Sequence, residues 1–83
     1  VFSQPIDHGA DVVLYSATKY IGGHSDLVAG AASGSNEIIS RLNGMRVFMG
    51  NMASPFTCWL ITRSLETLKI RMEKSAENAR KIA

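Results

Sequence analysis

Two short apolar runs, separated by a polar loop that contains glycine, constrain the fold of this chain more than any other feature. The first run covers residues 11–15 and the second covers residues 27–32. Short apolar runs bounded by Gly, Ser and Asn are typical of buried β-strands. The loop between them, residues 16–26, is called the lysine loop because it contains Lys19. We expect chemistry there, since loops held by rigid strands often carry functional residues.

The rest of the chain has the sequence pattern of helices. Asn36 can cap a helix that Gly50 ends. Ser54 followed by Pro55 is typical of the start of another helix. A further helical stretch is predicted over about residues 70–83, and the sequence does not decide whether a break precedes it. Two strands followed by helices predict an α/β fold.

The size and composition of the chain indicate that it is part of something larger. With 83 residues it holds one small domain at most. Hydrophobic residues make up 46% and charged residues 19%, below the usual charged fraction of about 25%. This composition indicates apolar surface that is buried against a partner. Because Val1 is not a methionine and Ala83 closes an unfinished helical pattern, the sequence is interpreted as an internal fragment.

Charge and hydropathy exclude several functional classes. Nine Lys and Arg against seven Asp and Glu give a net charge of +2, without the basic, aromatic-rich patch that nucleic-acid binding favours. No apolar run approaches the roughly 20 residues that span a bilayer, so no membrane partner is predicted and a cytoplasmic location is expected. The lone cysteine, Cys58, excludes an internal disulfide and a cysteine-cluster metal site. No metal is predicted.

Lys19 is the candidate nucleophile of the lysine loop. A lysine can attack a carbonyl when its surroundings favour the neutral amine, and the end of a buried strand offers partial desolvation. Ser16 and Thr18 are two residues apart, so in an extended segment both hydroxyls point to one side and could donate to phosphate oxygens. The chain must turn at Thr18 for Lys19 to reach the same ligand. An aldehyde that bears a phosphate would suit all three, although this short pattern alone is common.

The wider context of the loop resembles a known family. Gly9-Ala10-Asp11, followed by the whole stretch of residues 15–30, closely resembles the signature of the Cys/Met-metabolism (trans-sulfuration) family of pyridoxal-phosphate (PLP) enzymes. That family includes cystathionine γ-synthase, cystathionine γ-lyase, methionine γ-lyase and O-acetylhomoserine sulfhydrylase. The resemblance covers essentially the whole chain, and its further matches are Gln4-Pro5, Gly50, Ser54-Pro55-Phe56, Trp59-Leu60, Arg63-x-Leu65-x-Thr67-Leu68, Arg71-Met72 and Asn78-Ala79.

The resemblance implies a cofactor, site residues and a reaction. Lys19 matches the lysine that binds PLP covalently and shuttles protons, and Ser16 and Thr18 match the hydroxyl residues that bind its phosphate. The implied activity is γ-elimination or γ-replacement on a sulfur amino acid. The first hypothesis is a methionine γ-lyase-like enzyme, which converts L-methionine to methanethiol, 2-oxobutanoate and ammonia. The alternatives are a cystathionine γ-synthase or O-acylhomoserine sulfhydrylase, a cystathionine γ-lyase, and a non-catalytic truncated fragment.

The resemblance also implies a domain and an assembly. Residues 1–83 would form part of the large PLP-binding domain of a fold-type I, aspartate aminotransferase-like enzyme, with the helix at about residues 70–83 leading toward the C-terminal domain. Family members are usually tetramers built as dimers of dimers, so a homo-oligomer that acts on a small-molecule amino acid is expected. Gly22-Gly23 and Ser64 depart from the common family pattern, which weakens any choice among the activities.

Other combinations of polar residues are not predicted to form a catalytic or metal site. His24-Ser25-Asp26 contains the residue types of a hydrolase triad, but adjacent residues cannot align nucleophile, base and orienting group. His8 with His24 and Asp26 lacks the spacing of a metal site. Arg63 lies between apolar residues and is interpreted as one member of a buried ion pair.

Overall fold

A two-stranded antiparallel sheet organises the first part of the computed structural model, which describes residues 2–83. A short 3-10 helix, Pro5–His8, precedes the sheet and ends at Gly9, where φ is 90°. Strand β1 (Val12–Ser16) then pairs along its length with strand β2 (Gly30–Gly34). The lysine loop therefore connects two hydrogen-bonded neighbours.

The second strand begins later than the sequence predicts. The prediction placed it at residues 27–32, whereas β2 covers Gly30–Gly34. Leu27 is instead buried beside Gly22 of the lysine loop, and Ala29 bonds to Thr18 outside the strand. The prediction that both strands are buried is wrong for the described chain. Most of their residues are exposed within the described chain.

Three helices make up the remainder of the described chain: α1 (Asn36–Met49), α2 (Pro55–Leu65) and α3 (Leu68–Ile82). Ser35, rather than the predicted Asn36, caps α1, since its Oγ accepts a hydrogen bond from the Ile38 N–H at 3.4 Å. Gly50 ends this helix, as predicted. None of the three is both long enough and apolar enough to cross a membrane.

Helices α2 and α3 are separated by a break, which the sequence alone does not decide. Helix α2 begins at Pro55, and the Ser54 Oγ accepts a hydrogen bond from the Thr57 N–H at 3.1 Å, as the predicted cap requires. The helix ends at Leu65, and Thr67, with φ −105° and ψ −1°, leads into α3. The two helices are therefore separate, and α3 begins at Leu68, two residues before the predicted start of the last helix.

The small core of the chain surrounds the lysine loop. Its buried residues are Ala17 and Gly22 within the loop, Leu27 directly after it, and Ser64 on α2. Many large apolar side chains further along the chain are exposed, and they include Met45, Val47, Phe48, Met49, Met52, Phe56 and Trp59. The tightest packing within the chain therefore lies where the sequence predicts chemistry.

Candidate active site

Lys19 lies in a wide helical turn, Ala17–Ile21, that follows β1 directly. The Gly22 N–H donates to the Ala17 carbonyl and the Gly23 N–H donates to the Lys19 carbonyl, each at 2.7 Å. Lys19 itself has φ −89° and ψ −120°, outside the helical region. The backbone thus changes direction directly after Thr18, where the sequence requires a turn.

Two glycines allow the loop to fold this tightly. A Cβ atom at Gly22 would lie 2.8 Å from the Ala17 carbonyl oxygen and 3.1 Å from the Leu27 Cγ. Gly23 has φ +76°, and a Cβ atom there would overlap the guanidinium of Arg71. A side chain at either position would force the surrounding groups apart. The Gly22-Gly23 pair is therefore a steric requirement of this turn.

Thr18 ties the lysine loop to the chain just before β2. Its Oγ1 accepts a hydrogen bond from the Ala29 N–H at 3.0 Å and donates one to the Ala29 carbonyl at 3.2 Å. The Thr18 N–H donates to the same carbonyl at 3.1 Å. Because a hydroxyl carries one hydrogen, Thr18 can donate to a phosphate oxygen only when that hydrogen turns away from Ala29.

Arg71 of α3 holds the other side of the loop. Its Nη1 donates to the Tyr20 carbonyl at 2.7 Å, and its Nη2 donates to the Ile21 carbonyl at 3.3 Å and to the Ser64 carbonyl at 2.9 Å. Its Nε donates to the Thr67 Oγ1 at 3.0 Å. One side chain thereby joins the loop, the end of α2 and the start of α3. No role at the site is predicted for Arg71 from the sequence, because 51 residues separate it from Tyr20 and no local pattern links them.

An open groove of about 820 Å³ runs between the lysine loop and α3. Its volume falls within the range of about 300–1,000 Å³ that is usual for small-molecule pockets. Thr18 and Lys19 lie on one wall, and the wall formed by α3 consists of Arg71, Lys74, Ser75 and Asn78. Ser16 does not line this groove; it lies at the end of β1, opposite Gly30. The structure therefore brings two of the three predicted site residues into one groove.

The donor groups of these three residues fit an aldehyde cofactor that bears a phosphate. The Lys19 side chain is exposed, and its Nζ makes no hydrogen bond or ion pair with the residues that the structure describes. Ser16 is also exposed, so its hydroxyl is free to donate to a phosphate oxygen. The Thr18 hydroxyl can also donate to a phosphate oxygen, once its hydrogen no longer bonds to the Ala29 carbonyl. The amine and two hydroxyls are the groups that such a cofactor requires.

The other candidate residues, His24 and Arg63, have structural surroundings. The His24 Nδ1 donates to the Gly22 carbonyl at 2.7 Å, so this ring contributes to the structure of the loop. The predicted buried ion pair of Arg63 is wrong: Arg63 is exposed, and its guanidinium carbon lies 5.9 Å from the centroid of the Trp59 ring, a cation–π distance. Within residues 2–83, no three His, Cys, Asp or Glu side chains are grouped so that they could hold a metal ion.

Known proteins match the chain over nearly all of its length. The model of the family described as Cys/Met metabolism PLP-dependent enzyme matches residues 1–83. L-methionine gamma-lyase from Treponema denticola is 48% identical over 82 residues, which are 96% of this chain and 20% of that protein. Cystathionine beta-lyase from Lactococcus lactis is 48% identical over 81 residues, 96% of this chain and 21% of that protein.

A solved structure agrees with these sequence matches. Cystathionine gamma-lyase from Lactobacillus plantarum, complexed with L-serine, superposes with a TM-score of 0.88 at 35% identity, over 94% of this chain and 21% of that one. The α/β fold class predicted from the order of strands and helices is therefore confirmed. The chain spans about a fifth of the length of the curated relatives that it matches.

The chain belongs to the Cys/Met metabolism family of PLP-dependent enzymes. The family predicted from the residues around Lys19 is thereby confirmed, and PLP is confirmed as the cofactor of that family. The roles of Lys19, Ser16 and Thr18 stay predictions, as does the division of the whole protein into domains.

Proposed function

We propose that this chain supplies the cofactor-binding lysine of a PLP-dependent enzyme that performs γ-elimination or γ-replacement on sulfur amino acids. The observation that carries this proposal is the position of Lys19. Its amine has no partner among the described residues, and Lys19 lines a groove in a turn that is hydrogen-bonded on both sides. An amine held in this way is available to condense with an aldehyde.

Lys19 has two tasks in the proposed mechanism. The Lys19 Nζ would hold PLP through the carbon of its aldehyde group. The same Nζ would move a proton from the substrate Cα to a neighbouring carbon. When bound, PLP supplies an electron sink for the pair of electrons left at Cα. The Ser16 and Thr18 hydroxyls would donate to its phosphate and so help to fix the cofactor relative to Nζ.

Methionine γ-lyase-like elimination is the first hypothesis for the reaction. In this reaction L-methionine and water give methanethiol, 2-oxobutanoate and ammonia. The similarity to the Treponema denticola enzyme supports it, although the Lactococcus lactis cystathionine beta-lyase matches the chain with the same 48% identity. Identity over this segment therefore does not separate the reactions. Cystathionine γ-synthase or O-acylhomoserine sulfhydrylase activity and cystathionine γ-lyase activity are the alternatives.

The proposed enzyme includes the chain as part of its large PLP-binding domain, with α3 leading toward a C-terminal domain, and assembles as a homotetramer. The exposed apolar side chains support this arrangement. Phe48 on α1 is 93% exposed within the chain, and apolar surface of this kind is normally covered by another part of a protein or by a partner.

Replacement of Lys19 is the direct test of the proposal. In the full-length protein that carries this segment, we expect Lys19→Ala to lose the absorbance band of lysine-bound PLP. We also expect kcat to fall by at least the roughly 10²–10⁴-fold that proton transfer by a side chain contributes. Lys69→Ala is the matched control, because the Lys69 side chain on α3 is 84% exposed and its Nζ lies 3.9 Å from the Glu73 Oε1. This substitution should leave both the absorbance band and kcat unchanged. A Lys19→Ala protein with full activity would refute the assigned role.

Product analysis separates the candidate reactions. Methanethiol, 2-oxobutanoate and ammonia released from L-methionine would support the first hypothesis. Cystathionine formed from an O-acylhomoserine and cysteine would indicate the synthase, and cysteine released from cystathionine would indicate the γ-lyase. If the purified protein mixed with PLP shows neither the bound-cofactor band nor turnover, the chain belongs to a non-catalytic fragment.

A further inference from the structure

We propose that Arg71 is the positioning residue of the lysine loop: it fixes the peptide groups that follow Lys19 and so sets the direction in which the Lys19 Nζ points. The inference rests on the proposed function of Lys19 and extends it to a residue 52 positions away in the sequence (71 − 19). In this role Arg71 acts through the backbone of the loop.

Lys19 lies between two sets of hydrogen bonds. On its N-terminal side, three bonds join Thr18 to Ala29. On its C-terminal side, Arg71 binds the carbonyls of Tyr20 and Ile21, the next two residues of the chain. The first set comes from the residue just before β2, whereas the second comes from a helix far along the chain. Removing Arg71 would leave the C-terminal side of the turn held only by bonds within the loop, those of the Gly22 and Gly23 N–H groups and of the His24 ring.

The shape of the guanidinium suits this task. Arginine presents five N–H donors in a planar fork and stays charged at all ordinary pH values. Arg71 uses four of these donors, two toward the loop and two toward Ser64 and Thr67. A lysine carries its donors on one nitrogen atom and cannot reach all four acceptors together.

Gly23 provides a second, independent observation. The guanidinium lies against the Cα of Gly23, in space that the side chain of any other residue would fill: a Cβ atom there would come within 3.0 Å of Arg71 Nη2 and closer still to Cζ and Nη1. The loop thus has a site shaped for this guanidinium. Close steric fit on one side and directed hydrogen bonds on the other define where the loop can lie.

The expected consequence is functional, because an amine must be correctly placed to react. Displacement of a reacting group by about 1 Å can lower a rate by about 10²-fold. In the full-length protein we therefore expect Arg71→Met, which keeps the apolar stem and removes the donors, to lower kcat by about 10²-fold, with a smaller change in KM. Its PLP dissociation constant should rise about tenfold, and the pH titration midpoint of the bound-cofactor absorbance should shift. Arg71→Lys should restore part of each loss.

The matched control is Arg80→Met, an identical substitution on the same helix at an exposed position. It should leave kcat, the PLP dissociation constant and the spectral titration unchanged. In the cofactor-free protein, hydrogen exchange at the N–H groups of Gly22 and Gly23 should become faster in Arg71→Met and stay the same in Arg80→Met. This measurement reports on the loop without any contribution from the loaded enzyme.

The outcomes distinguish this inference from the proposed function. If Lys19→Ala keeps bound-cofactor absorbance and activity, the proposed function fails. If Lys19→Ala loses both while a folded Arg71→Met protein matches the wild type in PLP affinity, spectral titration and loop exchange, only the positioning role fails. Should Arg71→Met not fold, Arg71→Lys decides: a spectral titration and loop exchange identical to those of the wild type would overturn the inference.

Discussion

The lysine loop and helix α1 are stabilised in opposite ways. The loop contains Ala17, which is 1% exposed, and it is hydrogen-bonded by Ala29 on one side and by Arg71 on the other. Helix α1 has a cap at each end but no buried residue. The chain therefore determines the conformation of the loop with its own residues. Helix α1, in contrast, makes few contacts within residues 2–83, and these are mainly with β2.

This difference matches the tasks proposed for the two regions. A residue that performs chemistry needs a backbone that its surroundings hold in one geometry, and the loop around Lys19 meets that need. An exposed apolar helix face serves association, since covering it releases water from apolar surface. Substitutions in the two regions should therefore have different sizes and, in one case, opposite signs.

The largest expected effect is that of Gly23→Ala in the loop. Alanine in a left-handed conformation costs about 1–2 kcal/mol, and the new Cβ atom displaces the Arg71 guanidinium, whose charged hydrogen bonds are worth about 1.5–3 kcal/mol each. If one of the two Arg71 bonds to the loop is lost, we expect the free energy of opening of the loop to fall by about 3 kcal/mol in total. Hydrogen exchange at the Gly22 N–H in the full-length protein measures it. Unchanged exchange would show that Arg71 does not hold the loop.

Much of the secondary structure could be predicted from the sequence, because the signals that determine it are local. The order of strands and helices, the Ser54 cap and the end of α1 at Gly50 all follow from residues within a few positions of one another. The predicted start of the second strand was wrong because Leu27 and Ala29 pack and bond against the loop instead of continuing the ladder. Local apolar pattern does not distinguish these two arrangements.

An intermediate effect is expected for Thr18→Val. The substitution keeps the shape of the side chain but removes the hydroxyl that binds both polar groups of Ala29. An unsatisfied, half-buried backbone group costs about 1–3 kcal/mol, so we expect the exchange of the Ala29 N–H to reflect a loss of about 2 kcal/mol. Thr18→Ser is the control, since it retains the hydroxyl and should retain most of the stability. Equal exchange in Thr18→Val and the wild type would contradict the prediction.

The part of the candidate site that was not predicted is formed by residues that lie far apart in the sequence. Lys19 could be singled out from its motif, and Ser16 and Thr18 from their spacing. The contact of Arg71 with the loop depends on the angle at which α3 leaves the break after α2, and that angle has no local sequence signal. Arg63 shows the converse, because apolar neighbours in sequence suggested burial whereas its helix face is open.

The smallest expected effect, and the one with the opposite sign, is that of Gly44→Ala in α1. A Cβ atom at Gly44 meets no atom within 4 Å, and alanine is more favourable than glycine inside a helix by about 0.5–1 kcal/mol. We therefore expect a small gain in the stability of α1, measured by hydrogen exchange of its central N–H groups. Gly34→Ala in β2 is the contrasting control, because its Cβ atom would lie 2.8 Å from the Asp11 carbonyl oxygen and should destabilise the sheet. If Gly44→Ala instead destabilises the full-length protein, another element must pack tightly over this face of α1. The loop and α1 would then differ in what they pack against and would both be tightly packed.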